Sequence, residues 1–150
     1  MALQVGDKAP DVLGVNQEGK ELRLSDFKGK KIVLYFYPKD NTSGCTAQAC
    51  NLRDNYTELR NAGYEVIGVS PDSAKSHQGF ISKQNLPFNL IADTETTLSQ
   101  LFGTWGEKSM YGRKYMGMLR TTFIINEEGI IERIITPKEV KTSDHTAQIL

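Results

Sequence analysis

Two cysteines, Cys45 and Cys50, are the residues of this sequence best suited to chemistry, and it has no others. A thiol reacts as its thiolate, so the question is what favours the anion. Cys45 follows Asn-Thr-Ser-Gly and opens a run in which Cys45, Ala49, Leu52, Tyr56 and Leu59 recur at helical steps, marking one apolar face. Thr42 or Ser43 can cap the free amides of that helix, and Gly63 can end it. A cysteine in the first turn lies at the positive end of the helix dipole, beside unpaired N–H groups, and both favour the thiolate. The plainer alternative is a small buried residue on the apolar face. The position directly after Thr-Ser-Gly favours the reactive cysteine.

Cys50 lies five residues on, ~140° around an ideal helix from Cys45 and off the apolar stripe. In an intact helix the two Cα atoms would be roughly 8–9 Å apart, whereas a disulfide needs less than about 7 Å. The pair can therefore bond only if the helix unwinds locally. Two independent thiols are the alternative.

These residues need elements to hold them. Ile32 to Tyr37 is a continuous apolar run stopped by Pro38, as in a buried central strand. Pro38 to Gly44 must be a loop. Asp11 to Asp26 reads as a hairpin turning at Asn16-Gln17-Glu18-Gly19. Glu65 to Ser70 is a second buried strand, Ser73 to Gln84 a helix limited by Pro87, and Asn89 to Ala92 a short strand. Asp93 or Thr94 can cap a helix that reaches Phe102 and ends at Gly103. Thr104 to Met118 reads as an irregular functional loop. Arg120 to Asn126 and Ile130 to Ile135 form a hairpin across Glu127-Glu128-Gly129, and a final helix begins near Ser143. The expected architecture is one α/β domain over residues 1–150, with a mixed sheet between helices and Cys45 at the carboxyl end of the central strand.

Composition removes several classes of function. Lys plus Arg and Asp plus Glu both number 18, so the chain lacks the positive excess that binding to nucleic acid or anionic membranes requires. No apolar run approaches the ~18 residues of a membrane span. The start lacks the pattern of a signal peptide, which points to the cytoplasm, where paired cysteines serve redox chemistry rather than scaffolding. His77 and His145 read as solvated helix residues without zinc spacing. Gln48 and Asn51 read as helix surface. Gly112 to Gly117 lacks the Lys-Ser/Thr of a phosphate loop.

Pro38-Lys-Asp-Asn-Thr42-Ser-Gly-Cys45 matches the Pro-x-x-x-Thr-x-x-Cys signature of peroxiredoxins. Tyr35-Phe-Tyr-Pro-Lys-Asp-Asn-Thr42 and the cysteine five residues after Cys45 resemble the bacterioferritin-comigratory, or peroxiredoxin Q, subfamily. The likeness continues through Gly6-Asp7-Lys8-Ala9-Pro10, Trp105-Gly106-Glu107-Lys108, Arg120-x-x-Phe123 and Asp144-His145. Ser43 departs from the pattern, since the subfamily usually has proline there, and the final helix is short for the family.

The resemblance implies a thioredoxin-like fold with an N-terminal β-hairpin and a thiol-dependent peroxidase of hydrogen and organic hydroperoxides. It implies that Cys45 is the peroxidatic and Cys50 the resolving cysteine. Thr42 would hydrogen-bond thiolate and peroxide, Pro38 would shield the pocket, and Arg120 would hold the thiolate and polarise the peroxide. The amides of Gly44 and Cys45 would stabilise bound oxygen. Taken by itself, Arg120 is an ordinary charge at a strand end. The expected enzyme uses no metal, haem or flavin, is recycled by thioredoxin or a similar dithiol protein, and is a monomer or weak homodimer. Its rivals are a general thiol–disulfide oxidoreductase, disfavoured by Cys-x-x-x-x-Cys in place of Cys-x-x-Cys, and a non-enzymatic redox sensor.

Overall fold

The computed structural model describes residues 2–150. The chain begins with the expected hairpin, β1 (Val12–Val15) against β2 (Glu21–Arg23), whose turn closes when Gly19 N–H donates to Asn16 O. Then comes β3 (Lys31–Phe36), where side chains alternate between two apolar layers: Ile32, Leu34 and Phe36 face one way and Val33 and Tyr35 the other. A strand buried on both faces belongs at the centre of a sheet, and β3 lies there.

Next follow α1 (Ser43–Asp54), α2 (Tyr56–Asn61), β4 (Tyr64–Ser70), α3 (Ala74–Gln84), β5 (Asn89–Ala92) and α4 (Thr97–Leu101). The single helix expected through Leu59 is two. Asn55 separates them, its side-chain amide donating to Asn51 O at 2.8 Å; such local bonds compete with the helical ladder. α3 is capped by Ser73, which accepts from Ser76 N–H. Asp93 caps α4 from a distance, its carboxylate accepting from the amides of Leu98 and Ser99.

The stretch Thr104 to Met118, expected to be irregular, is instead a hairpin of β6 (Trp105–Met110) and β7 (Arg113–Met118). Tyr111 and Gly112 both have positive φ, as a two-residue turn with the twist of the strands requires. Most of the hairpin is exposed, so no apolar alternation betrays it in the sequence. The chain ends with β8 (Thr121–Ile125), β9 (Ile131–Ile135) and α5 (His145–Ile149).

The main sheet has the order β5-β4-β3-β8-β9, parallel from β5 to β3 and antiparallel from β3 to β9. One face packs against α1, α2, α3 and α5 through Ala49, Leu52, Leu59, Phe80 and Ile149. The other packs against α4, the β1–β2 hairpin and the base of β7 through Leu98, Leu13, Leu22 and Met118. Each large apolar side chain buried this way is worth about 1.5–3 kcal/mol relative to exposure. The sheet is thus rigid enough to fix what lies at the carboxyl end of β3.

Candidate functional site

Tyr37 N–H still bonds Val69 O, but Pro38 has no N–H to offer, and the chain leaves the sheet. Asn41 takes a left-handed conformation (φ 63°), which asparagine tolerates, and turns the chain into α1. Thr42 is at the N-cap, yet neither it nor Ser43 caps the helix, contrary to expectation. The Thr42 hydroxyl instead donates to Lys39 O at 2.8 Å. The first-turn amides are therefore left to whatever approaches them. Ser43 occupies the first helical position, where proline is also favoured, so the departure there leaves the helix intact.

Cys45 is in that first turn, 1% exposed. Arg120, just before β8, donates from Nη2 to Cys45 Sγ at 3.3 Å and from Nη1 to Gln48 Oε1 at 2.7 Å. The guanidinium lies so close to the helix that a Cβ on Gly44 would be 3.3 Å from Nη2. Cation and helix dipole thus converge on one sulfur. Cys50 is also free and half-buried, with Sγ 3.4 Å from Gln84 Oε1 on α3. Pro38 is half-buried at the start of the loop, and Thr42 is exposed.

Gln48 is fully buried, not helix surface. Its oxygen holds Arg120, and its Nε2 has no partner among the described residues. A second cation approaches from β6. The Lys108 stem crosses Gly117, where a Cβ would be 2.8 Å from its Cδ, and Nζ donates to Met118 O at 2.8 Å. Burial and the nearby Arg120 charge lower the Lys108 pKa, while Cys45 acts in the opposite sense.

The loop is pinned from behind by groups expected to be solvated. His77 is fully buried, with Nδ1 2.8 Å from Asp40 Oδ2 and Nε2 2.9 Å from Ile91 O. Asp40 also accepts from Tyr37 OH at 2.6 Å and Ser76 OH at 2.8 Å. Burial alone would raise the Asp40 pKa, but hydrogen bonds from His77, Tyr37 and Ser76 together with the His77 charge more than offset it and leave it below its ordinary value. Asp40, Asp72 and His77 place ligand atoms within 4.8 Å of one another, the only such group among the described residues, but both His77 nitrogens are already engaged. His145 is buried too, between Thr122 Oγ1 at 2.8 Å and Gln148 Oε1 at 2.9 Å. A groove of about 700 Å³ between β1 and α4 lies on the other face of the sheet, away from both cysteines.

The model of the AhpC/TSA family matches residues 5–134. The chain belongs to this family. Among its relatives, the putative peroxiredoxin Bcp of Coxiella burnetii is 47% identical over 150 residues, covering all of this chain and 98% of the relative. Peroxiredoxin Bcp of Bacillus subtilis is 46% identical, covering all of this chain and 94% of the relative. Among solved structures, the PrxQ of Xylella fastidiosa superposes with a TM-score of 0.87 at 30% identity over 99% of this chain and 94% of that one. The bacterioferritin comigratory protein of Xanthomonas campestris, studied for alkyl peroxide reduction, superposes with a TM-score of 0.83 at 33% identity over 94% of this chain and 87% of that one.

The fold of this peroxiredoxin is therefore thioredoxin-like, and its activity is that of a thiol peroxidase, with peroxide as substrate and a thiol as reductant. No helix among the described residues is long and apolar enough to cross a membrane.

Proposed function

We propose that this peroxiredoxin reduces hydrogen peroxide and organic hydroperoxides at Cys45, resolves the product with Cys50, and is recycled by thioredoxin. The observation that carries the reading is the 3.3 Å contact of Arg120 Nη2 with Cys45 Sγ in the first turn of a helix that no side chain caps. The thiolate attacks one peroxide oxygen. An S–O bond forms, the O–O bond breaks, and the other oxygen leaves as alkoxide or hydroxide and is protonated to alcohol or water. Arg120 and the open amides of Gly44 and Cys45 stabilise the charge that moves onto oxygen. Pro38 limits the water around the sulfur. The Thr42 hydroxyl spends its proton on Lys39 O and so presents lone pairs, suited to accept the hydrogen of an incoming hydroperoxide rather than to donate to the thiolate.

The Cys50 thiol then attacks the Cys45 sulfenic acid: the S–S bond forms, the S–O bond breaks, and the thiol proton leaves with the hydroxyl as water. Both cysteines lie in α1, so one domain over residues 1–150 completes this step as a monomer. A dithiol such as that of thioredoxin, kept reduced in the cytoplasm, restores both thiols by exchange.

The test is steady-state peroxide consumption with thioredoxin and its reductase. The wild type should turn over, and Cys45→Ser should lose turnover, because serine is not ionised at neutral pH. Turnover by metal-free Cys45→Ser would overturn the assignment.

A further inference from the structure

α5 has five residues, too few to be stable alone. Its ends are held by side chains from other elements. At the C-terminus Arg133 on β9 donates to Ile149 O at 3.1 Å and Gln148 O at 2.6 Å. At the N-terminus no local side chain caps it. That part is filled by Asn51, from the last turn of α1: its Oδ1 accepts from Thr146 N–H at 2.8 Å and its Nδ2 donates to Ser143 O at 3.1 Å. The Thr146 hydroxyl adds a bond to Asn51 O at 3.3 Å. Asn51 was expected on the helix surface, yet three bonds tie it to a segment more than ninety residues away.

Asn51 is also the residue after Cys50. An intact α1 holds the two cysteine Cα atoms roughly 8–9 Å apart, beyond the ~7 Å reach of a disulfide. One end of the pair must move. Cys45 is 1% exposed and packed among Ala49, Tyr35 and Leu52, whereas Cys50 is half-buried at the helix rim. Movement of Cys50 is the less disruptive, and it carries Asn51 with it. Arg53, bonded to Gln84 O at 2.8 Å, restrains the next part of the helix from the α3 side.

We propose that Asn51 is a latch on the resolving step: its grip on Ser143 and Thr146 sets how fast α1 unwinds, and so how long Cys45 stays a sulfenic acid. This rests on the assignment of Cys45 and Cys50 above. While the latch holds, a second peroxide can reach the sulfenic acid; its O–O bond breaks, one oxygen adds to sulfur to give sulfinic acid, and an alcohol or water leaves. When the latch opens, Cys50 attacks, water leaves, and the disulfide forms. The N-terminus of α5 loses its cap in the same movement, while the Arg133 clamp on the sheet stays.

Rapid-quench alkylation with mass spectrometry separates the two phases, sulfenic acid formation at Cys45 and Cys45–Cys50 disulfide formation. In Asn51→Ala the first phase should match wild type, since Asn51 touches neither sulfur nor Arg120. The second should speed up roughly tenfold, as expected for loss of side-chain hydrogen bonds that hold only the folded helix. The sulfinic acid yield in excess peroxide should fall to match. Thr146→Val, which removes one bond and keeps the amide, should speed the second phase by a smaller factor and provides the test if Asn51→Ala does not fold. Arg133→Ala loosens the other end of α5 and should leave both phases unchanged.

A second phase that is unchanged or slower in Asn51→Ala overturns the latch, or in Thr146→Val if only that variant folds. Equal acceleration by Arg133→Ala also overturns it, because the effect would then be general loosening of α5. If the wild type forms no sulfenic acid at Cys45, the assignment of the reaction fails first, and the latch with it.

Discussion

Gln48 accepts a hydrogen bond from Arg120 at 2.7 Å, one helical turn beyond the cysteine that the same guanidinium touches. A flexible cation is thereby held in one pose, with one arm on the amide and the other on the sulfur. The amide is fully buried, so nothing in solvent replaces it.

Gln48→Leu should leave the charge of Arg120 in place but free its orientation. A hydrogen bond to a charged group is worth about 1.5–3 kcal/mol, so the second-order rate of Cys45 oxidation should fall on the order of 10–100-fold. Stopped-flow measurement with hydrogen peroxide checks this, and an unchanged rate would mean that Arg120 is positioned by other contacts.

Arg120→Lys separates charge from geometry. Lysine is a point charge and cannot bond Cys45 and Gln48 through two arms of a planar fork. The peroxide rate should fall nearly as far as in Arg120→Ala, and both variants should be alkylated by iodoacetamide at neutral pH more slowly than the wild type. Near-wild-type peroxide kinetics in Arg120→Lys would show that charge alone suffices.

Cys50→Ser should react with the first equivalent of peroxide at the wild-type rate, since its sulfur contacts Gln84 and not the Arg120 site. The product should persist as a sulfenic acid, seen as a one-oxygen gain in intact mass, and thioredoxin-dependent turnover should slow or stop. Undiminished turnover would mean direct reduction of the sulfenic acid.

His77→Leu should strand the Asp40 carboxylate in the interior without the imidazole that hydrogen-bonds it. Breaking a buried pair this way costs about 3–5 kcal/mol, visible as a lower denaturant midpoint. The Asp40 carboxyl is held below its ordinary 3.8, so the unfolded chain binds that proton more readily. Its contribution is complete above pH 3.8 and is lost as pH falls through the lower folded value. An acid-unfolding curve unaltered by His77→Leu in that range would refute the pairing.

His145 titrates in the opposite sense to a salt-bridged histidine. Burial first, and then the Arg120 charge, lower its pKa from the ordinary 6.5, against the hydrogen bond to Gln148 that raises it. The unfolded chain therefore binds a proton more readily between the folded value and 6.5, and stability falls as pH drops below 6.5. Hydrogen exchange should show α5 amides losing protection over that range at constant temperature. His145→Gln should flatten the dependence, and a wild-type helix equally protected on both sides of it would contradict the prediction.

The strand, loop and helix around Cys45 were legible from the residues alone. Ile32 to Tyr37 is apolar on both faces, Pro38 ends the pairing, and Cys45, Ala49 and Leu52 mark one side of the helix. These are local signals, written in periodicity and in the missing proline N–H. The resemblance to peroxiredoxins also rested on contiguous residues, and the comparisons agree with it. What the tertiary structure decided concerns polar groups. Gln48, Asn51, His77 and His145 each sit in a stretch that reads as solvated, and each is drawn inward by a partner distant in sequence: Arg120, Ser143 and Thr146, Asp40 and Ile91, Thr122. The β6–β7 hairpin escaped notice for the converse reason, because it buries too little to leave an apolar alternation. Periodicity reports which positions avoid water. Whether a polar side chain can leave water depends on a bond from elsewhere in the chain, and only the folded structure supplies that bond.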